Sequence, residues 1–277
     1  MINKIILFGS NGMLGNYVNC FFRQHYSNLK LHEATIRISQ STLKDVEEYL
    51  VQEGIDEHTC VINCAGAIPQ RSPSDFWIIN TIFPHILALI CERYGAKMIH
   101  PTTDCVFSGE SMDTHGYIET DNPDEKGEYG RSKSLGEPTS CTVIRTSIIG
   151  RERFNKKSFM EWICQNDANV NGFKNHYWNG ITCLQWCKIV AIIIETNLFW
   201  CGVRHIFSPK AYSKYEMACM IKNTFNLNGT VQPIDAGTGS NKTLNTIYEE
   251  NAMFLIPDLC DQIAELSSPN VLRYTSN

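Results

Sequence analysis

The sequence lacks the features that mark membrane-spanning, exported and nucleic-acid-binding proteins. Its longest apolar run, residues 189–194, is far shorter than the roughly 20 residues that span a bilayer. Lys and Arg form no dense cluster, and the formal net charge of -5 gives no basic surface for nucleic acid. Residues 1–5 show no basic start, apolar stretch or small-residue cleavage site. The sequence therefore predicts a cytoplasmic protein that binds neither nucleic acid nor membrane.

The 12 cysteines have neither the spacing of a zinc site nor the context of disulfides. The closest pairs, Cys60/Cys64 and Cys183/Cys187, are separated by three residues, and neither has a second pair nearby. Without an export signal, a disulfide framework is not expected. We predict reduced, mostly buried thiols that pack as small hydrophobes, and no bound metal.

Apolar strand-like segments alternate with helical segments up to residue 150. The predicted strands are residues 5–8, a segment within 29–38, and residues 60–64, 97–100 and 142–145. The predicted helices are residues 13–24, 43–51 with Ser41 as the cap, 74–94 with a kink at Pro84, and 132–137. This alternation predicts an α/β fold with a doubly wound parallel sheet.

Beyond residue 150 this alternation is lost. We predict helices over residues 158–165, 184–196, 213–223 and 259–266, a short strand over 205–207, and loops over 166–179 and 236–245. A segment of this kind is expected to cover the carboxyl ends of the sheet, where ligands bind in such folds.

Three glycines lie at the junction of the first predicted strand and helix. Gly9, Gly12 and Gly15 allow a sharp turn, a close approach to a pyrophosphate and tight packing of the helix on the strand. The helix amino terminus offers free N–H groups to phosphates. The spacing predicts an NAD(P)-binding Rossmann domain over residues 1–150 and a mainly substrate-binding lobe over 151–277, with returns to the Rossmann sheet. The predicted cofactor contacts are Gly9, Ser10, Asn11, Gly12, Met13 and Leu14, with Cys64, Ala65 and Gly66 after a neighbouring strand.

A Tyr-x-x-x-Lys spacing places Tyr129 and Lys133 on one face of a helix. A lysine one turn away is expected to lower the tyrosine pKa, and it can also hydrogen-bond the nicotinamide ribose. Thr103 follows the strand at residues 97–100 and completes a Thr/Tyr/Lys set that polarises a carbonyl oxygen.

Together these segments resemble the extended short-chain dehydrogenase/reductase superfamily, and within it the dTDP-4-dehydrorhamnose reductase family. The matching residues are 9–15, 61–66, Asn80, 102–109, 129–137 and 145–147, with weaker similarity at 178–182 and 241–244. The resemblance implies reduction of the keto group at carbon 4 of a nucleotide-linked 6-deoxyhexose. It implies that Tyr129 protonates the carbonyl oxygen, Lys133 binds the cofactor ribose, and Thr103 hydrogen-bonds the substrate.

Cys105 departs from two patterns within the superfamily. Sugar-nucleotide dehydratases have Glu directly after the Thr-Asp pair, so dehydration is not expected of this chain. Simple reductases commonly have Tyr at this position, whereas bifunctional epimerase/reductases have Cys as an acid/base. The resemblance therefore favours a second, epimerase activity at carbon 3, and a compact lining residue is the alternative. Lys156, Lys157 and His176 are the candidates for a second acid/base partner.

The predicted ligands are a nicotinamide cofactor and a UDP- or dTDP-linked sugar. Glu33 lies where NAD-specific sites carry an acid, but Arg37 can hold a 2′-phosphate. The biosynthetic direction favours NADPH, and NADH stays open. Substrate contacts are predicted at Thr103, Asp104, Cys105, His176, Trp178 and Asn179, and Phe154 and Phe159 are expected in the core. The predicted protein partner is a second copy of the chain, in a homodimer. Two alternatives to the bifunctional enzyme are kept: a monofunctional 4-reductase and a non-catalytic regulatory subunit on the same scaffold.

Overall fold

A computed structural model of the chain describes residues 1–69, 73–110, 115–154, 156–166, 168–268 and 271. Its strands are β1 (Lys4–Phe8), β2 (Lys30–Glu33), β3 (Thr59–Asn63), β4 (Lys97–Thr102), β5 (Thr142–Arg145), β6 (Ile148–Ile149), β7 (Val170–Phe173), β8 (His176–Trp178), β9 (Ile181–Thr182), β10 (Gly202–His205), β11 (Tyr212–Ser213), β12 (Val231–Ile234) and β13 (Ser240–Asn241). Its α-helices are α1 (Met13–His25), α2 (Leu43–Gln52), α3 (Phe83–Tyr94), α4 (Glu128–Ser134), α5 (Phe159–Gln165), α6 (Cys183–Thr196), α7 (Lys214–Thr224) and α8 (Leu259–Leu266).

The central sheet has the strand order β10-β5-β4-β3-β1-β2, and its strand pairs are parallel. The predicted α/β fold with a doubly wound parallel sheet is confirmed. Alternate residues of β1 enter two different cores: Ile5 and Leu7 pack on the side of α1 and α6, and Ile6 and Phe8 on the side of α2 and α3. Because both faces are covered, a continuous apolar run is what such a strand requires.

The second half of the chain contributes both to this sheet and to smaller ones. β10 returns to the main sheet beside β5, while β7 pairs with β12, and β8 lies between β11 and β13. The predicted loops over 166–179 and 236–245 are therefore wrong, because they contain β7, β8 and β13. Their pairing partners are distant in the sequence, so local composition did not indicate strands. The functional division at residue 150 stays a prediction.

The predicted cap of α2 is also wrong. Thr42 caps this helix, since its Oγ1 accepts a hydrogen bond from the Asp45 amide at 3.3 Å while its own amide donates to Asp45 Oδ2 at 2.8 Å. This reciprocal capping box needs an acidic side chain three residues after the cap, which Thr42 has. The hydroxyl of Ser41 instead donates to the carbonyl of Arg37.

The predicted helix over 74–94 is a succession of three helix types. A 3-10 turn, Pro73–Asp75, leads into a π-helical segment, Phe76–Ile82, and then into α3. Pro84 lies in the first turn of α3, directly after the π-helical segment. By length and composition Phe76–Tyr94 could cross a membrane, but 44% of this apolar stretch is buried in the fold. The core helix of a globular protein can have the same length and composition, so this is weak evidence for a membrane span.

A buried ion pair ties the segment that follows α4 to the sheet. Arg145 on β5 donates from Nε and Nη2 to the two carboxylate oxygens of Glu137, at 3.0 and 2.6 Å, and its Nη1 lies 2.9 Å from Nε2 of His205. Both partners of the pair are almost fully buried. Burial, and next the Arg145 charge, lower the pKa of His205, so its ring is neutral at pH 7.

Removing one charge of this pair is expected to destabilise the fold. Glu137→Gln leaves the Arg145 guanidinium buried without a counter-charge, so the free energy of unfolding should fall by about 3 kcal/mol. Glu92→Gln, on the exposed face of α3, is the control and should change it by less than about 0.5 kcal/mol. Urea unfolding measures both, and an equal effect of the two substitutions would contradict the assignment.

Candidate active site

The glycine loop between β1 and α1 is built so that only glycine fits. Gly9 has a φ of +75°, and a Cβ there would lie 2.6 Å from the amide nitrogen of Ala65. A Cβ on Gly15 would lie 2.1 Å from the carbonyl oxygen of Gly9. The loop and the end of β3 are thus in backbone contact, as the strand order requires.

The amino terminus of α1 has free hydrogen-bond donors for a ligand. Gly12 precedes the helix and provides no side-chain cap. Other helices of the chain have such caps, at Thr42, Ser158, Thr182, Ser213 and Asp258. First-turn N–H groups without a cap, together with a backbone cradle that a Cβ would fill, fit the pyrophosphate of a dinucleotide. Of the neighbouring loop residues, Ser10 is buried, Asn11 is exposed, and Met13 and Leu14 begin the helix.

Cys64, Ala65 and Gly66 follow the end of β3 and border the glycine loop. The Cys64 amide donates to the carbonyl of Phe8 at 3.0 Å. The Lys133 ammonium is near enough to Cys64 for each charge to act on the pKa of the other. The glycine loop, this strand end and α4 therefore meet at one edge of the sheet.

Asn80, in the π-helical segment, connects this edge to α4. Its side chain exchanges two hydrogen bonds with the backbone of Ala67, at 2.8 and 3.0 Å, and donates to Ser132 Oγ at 3.1 Å. Ser132 directly precedes Lys133, so the hydrogen bond from Asn80 fixes the position of this lysine relative to the carboxyl ends of the strands. π-Helical turns of this kind are frequent at functional sites.

Thr103, Cys105 and Tyr129 converge at the end of β4. The Thr103 hydroxyl accepts from the Cys105 amide at 3.1 Å and donates to Asp104 Oδ1 at 3.1 Å. It also hydrogen-bonds the side chains of Tyr129 and Cys105. α4 reaches this turn because Gly130 leaves no side chain there, and a Cβ would lie 2.2 Å from the carbonyl of Cys105. The predicted helix over 132–137 begins at Glu128, so it includes both Tyr129 and Lys133.

The pKa values in this cluster differ from the sequence-based expectation. Burial, and next the charges of Cys105 and Asp104, raise the pKa of Tyr129 rather than lowering it. Burial lowers the pKa of Lys133 to about 8, and its Nζ donates to the carbonyl of Pro101 at 3.2 Å. Because the Lys133 ammonium hydrogen-bonds the Pro101 carbonyl, it does not lower the pKa of Tyr129. The Tyr129 phenol therefore stays protonated near neutrality and has a proton to donate.

The Cys105 thiol is half-buried and protonated near neutrality. Burial, and next the Asp104 carboxylate, raise its pKa to about 11, while Lys242 and the Thr103 hydrogen bond lower it. Asp104 itself is buried beneath the turn. A protonated thiol beside the tyrosine hydroxyl can give a proton to a carbon next to the carbonyl.

The two residues predicted to read the cofactor ribose lie at the carboxyl end of β2. Glu33 forms an ion pair with Arg23 of α1, with 3.2 Å between the nitrogen and oxygen atoms. Arg37 is exposed beyond the strand end. Glu33 and Arg37 thus lie at one strand end, where the ribose of a bound dinucleotide would lie in this type of fold.

A cleft of about 710 Å³ opens in the second half of the chain. It is lined by Phe159, Trp162, Asn166, Asn169, Val170, Asn171, Gly172, Phe173, His176, Lys214 and Ile234. Phe159 packs against the core, as expected, and also lines this cleft. Phe154 was wrongly expected in the core, since it is exposed. Lys156 and Lys157, two candidates for an acid/base partner, are exposed on a surface segment, whereas His176 lines the cleft.

Two predicted substrate contacts have structural roles. The side-chain oxygen of Asn179 accepts from the Leu244 amide at 2.8 Å, and its nitrogen donates to the Leu244 carbonyl at 2.8 Å. With both amide atoms used in this way, Asn179 is a poor substrate ligand, and the prediction is corrected. Trp178 is buried, and Lys214 Nζ lies 5.4 Å from its ring centroid, so its ring packs against a lysine.

Sequence reasoning missed Lys214. The Ser213–Glu216 capping box indicates the start of α7, and Lys214 is the first residue of that helix. No local pattern indicates that this helix start faces Cys105, because the two are brought together by long-range packing.

Comparison with known proteins agrees with this arrangement. The family model described as the RmlD substrate binding domain matches residues 3–243. A dTDP-4-dehydrorhamnose reductase of Mycobacterium tuberculosis is 30% identical over 160 residues, which are 53% of the chain and 50% of the relative. The chain thus spans about half the length of such relatives. The rat methionine adenosyltransferase 2 subunit beta is 24% identical over 253 residues, covering 81% of the chain and 72% of that protein.

The fold matches a solved structure over nearly its whole length. A dTDP-4-dehydrorhamnose reductase from Bacillus anthracis, solved in complex with NADP, superposes with a TM-score of 0.77 at 18% identity, covering 96% of the chain and 99% of that structure. At this identity the likeness concerns the fold. From the match to the family model, the chain belongs to the RmlD substrate binding domain family.

Proposed function

We propose that the chain reduces the 4-keto group of a nucleotide-linked 4-keto-6-deoxyhexose, UDP- or dTDP-linked, with NADPH as the cofactor. The observation that supports this best is the convergence of the Thr103, Cys105 and Tyr129 side chains beside a buried Lys133. The M. tuberculosis relative, a dTDP-4-dehydrorhamnose reductase, points to the same chemistry.

The cofactor is assigned to the edge that β1, β3 and α4 share. The backbone of Gly9, Ser10, Asn11 and Gly12 and the first turn of α1, with Met13 and Leu14, would hold the pyrophosphate. Cys64, Ala65 and Gly66 would leave space beside the nucleotide, Lys133 would bind the ribose of the nicotinamide, and Arg37 would bind the 2′-phosphate. When bound, the nicotinamide supplies the hydride that reduces carbon 4.

At the keto group, Tyr129 is the proton donor. Its phenol is protonated near neutrality, so it has a proton to give to the alkoxide that forms at carbon 4. Without substrate the Thr103 hydroxyl donates its proton to Asp104. On substrate binding it would turn this hydrogen bond to the carbonyl oxygen and polarise the carbonyl. Asn80 acts as a positioning residue through Ser132.

Epimerisation at carbon 3 is the finer part of the proposal. Protons next to a carbonyl are acidified because the enolate places its charge on oxygen, where Tyr129 and Thr103 donate hydrogen bonds. Cys105 hydrogen-bonds the same threonine and would exchange a proton with the adjacent carbon. His176 and the Trp178 strand form the wall of the lobe that faces the sugar nucleotide. A monofunctional 4-reductase would have the same Thr/Tyr/Lys set without this exchange.

A regulatory, non-catalytic subunit is the second candidate. It is favoured by the similarity to rat methionine adenosyltransferase 2 subunit beta, which extends over 81% of the chain. It is disfavoured by the intact Thr103, Tyr129 and Lys133, because a subunit that only regulates has no use for a buried proton donor.

Turnover in deuterated water separates these candidates. UDP- and dTDP-4-keto-6-deoxyhexoses are incubated with the protein, with and without NADPH, and the products are read by NMR and mass spectrometry. We expect NADPH-dependent reduction at carbon 4 and solvent deuterium at carbon 3. Reduction without deuterium at carbon 3 would leave a monofunctional reductase. No turnover, together with tight binding of a partner protein, would favour the regulatory subunit.

A further inference from the structure

Epimerisation at one carbon needs a group that removes a proton from one face and a group that returns a proton to the other. Cys105 provides one such group on the β4 side of the site. The second group must be an acid or a base that can gain or lose a proton near neutrality. The group that meets this requirement should lie near Cys105 in the opposite lobe.

Lys214, in the other lobe, is near enough to the Asp104–Cys105 turn for the charges of these two residues to act on its pKa. It is the first residue of α7, directly after the Ser213 cap. β11, which contains Ser213, pairs with β8 so that Tyr212 lies opposite Trp178. The lysine is thereby held on two regular elements rather than on a loop.

The lysine side chain lies between two aromatic rings. Its Nζ is 5.0 Å from the ring centroid of Phe159 on α5 and 5.4 Å from that of Trp178 on β8. The rings fix the direction of the side chain, which lines the cleft of about 710 Å³. A side chain held in this way at the wall of a ligand-sized cleft is placed to contact a ligand.

The charged groups that face Lys214 come from the Asp104–Cys105 turn and from the segment after β13. Asp104 and Cys105 raise its pKa, and Lys242 lowers it. Burial is the largest cause and lowers the pKa overall. A position in the first turn of a helix also disfavours a positive charge, because the helix dipole is positive there. Burial, the Lys242 charge and the helix dipole thus favour the neutral amine of Lys214, which is the form that accepts a proton, while burial favours the protonated thiol of Cys105.

The other cations near the cleft are less suited. Lys242 forms an ion pair with Glu125, at 3.5 Å between Nζ and a carboxylate oxygen. His176 packs its ring on Phe173, at 4.8 Å between centroids. Lys156 and Lys157 are exposed. Among these residues, Lys214 alone combines a wall position, a lowered pKa and proximity to Cys105.

We propose that Lys214 is the second acid/base group of the site and works with Cys105 in the epimerisation at carbon 3 of the keto sugar. This inference rests on the proposed epimerase function. The Lys214 amine takes the proton from carbon 3, the C–H electron pair forms the C3=C4 bond, and the carbonyl pair moves to the oxygen held by Tyr129 and Thr103. The enolate then collapses as carbon 3 takes the thiol proton of Cys105 on the opposite face. Solvent returns the proton from the Lys214 ammonium to the thiolate, so nothing is oxidised or reduced.

The test compares deuterium exchange with reduction in the same variants. Lys214→Met keeps the length of the side chain between the rings and removes the amine, while Lys214→Arg keeps the charge but cannot lose its proton near neutrality. We expect both to lower deuterium incorporation at carbon 3 by at least about tenfold. Reduction of a substrate that is already epimerised should stay within about threefold of the wild type. Lys210→Met is the matched control, since Lys210 lies 4.8 Å over the Tyr212 ring in the same lobe and is exposed.

Chemical rescue keeps the test valid if a larger change disturbs packing. Lys214→Ala should regain exchange when methylamine is added, with a pH dependence that follows the added amine. Normal exchange in Lys214→Met or Lys214→Arg would overturn the proposal. So would equal losses of exchange and reduction with a raised KM, which would make Lys214 a diphosphate ligand. A wild type that reduces the sugar without any exchange would instead refute the epimerase function itself, and this proposal with it.

Discussion

Tyr129→Phe is expected to lower turnover by at least about a hundredfold, in the range of lost general acid catalysis. Phenylalanine preserves the edge-to-face packing on Phe76, whose ring centroid is 5.9 Å away, and removes only the hydroxyl. Because burial keeps this phenol protonated, the hydroxyl is the proton source for the oxygen at carbon 4. Without it, the oxygen must take its proton from water.

The readout separates chemistry from binding. Turnover is followed by NADPH absorbance, and NADPH affinity by titration, which should stay within about threefold because the glycine loop and Lys133 are unchanged. Tyr94→Phe is the control, since Tyr94 ends α3 and its hydroxyl donates to Glu47. Near-normal turnover in Tyr129→Phe would remove the tyrosine from the proton-donor role.

Cys105→Ser is expected to lower solvent deuterium incorporation at carbon 3 by at least about a hundredfold. A hydroxyl is a much weaker acid than a thiol, so the proton transfer slows although the side chain keeps its shape. Reduction of a substrate that is already epimerised should persist, because Thr103 and Tyr129 are unaffected. The same loss is expected whether the thiol gives or takes the proton.

The control for this substitution is Cys260→Ser on α8, where the thiol is exposed. NMR of the sugar ring locates the deuterium, and reduction is measured in parallel. Unchanged incorporation in Cys105→Ser would show that Cys105 only lines the pocket, which is the alternative that its compact side chain suggests.

The parts of the site that depend on local sequence could be predicted. A glycine loop needs residues close in the chain, and Gly9, Gly12 and Gly15 show their spacing directly. Tyr129 and Lys133 are likewise one helical turn apart. The parallel sheet followed from continuous apolar runs such as that of β1, since a strand covered on both faces must be apolar throughout.

The parts that depend on long-range contacts could not. The role proposed for Lys214 depends on the pairing of β11 with β8, two strands that are far apart in the sequence. The pKa of Tyr129 depends on burial, which the sequence does not display, so the expected lowering by Lys133 was wrong. The sequence does not reveal that both amide atoms of Asn179 are hydrogen-bonded to the backbone of Leu244, which is 65 residues away.

Hydride transfer to carbon 4 is tested most directly with NADPH in which both hydrogens at carbon 4 of the nicotinamide are replaced by deuterium. The protein is incubated with this cofactor and a dTDP- or UDP-4-keto-6-deoxyhexose, and the product is examined by NMR and mass spectrometry. We predict one deuterium per product molecule, located at carbon 4 of the sugar. A product without deuterium at that carbon, or no product from either nucleotide sugar, would contradict the proposed reductase.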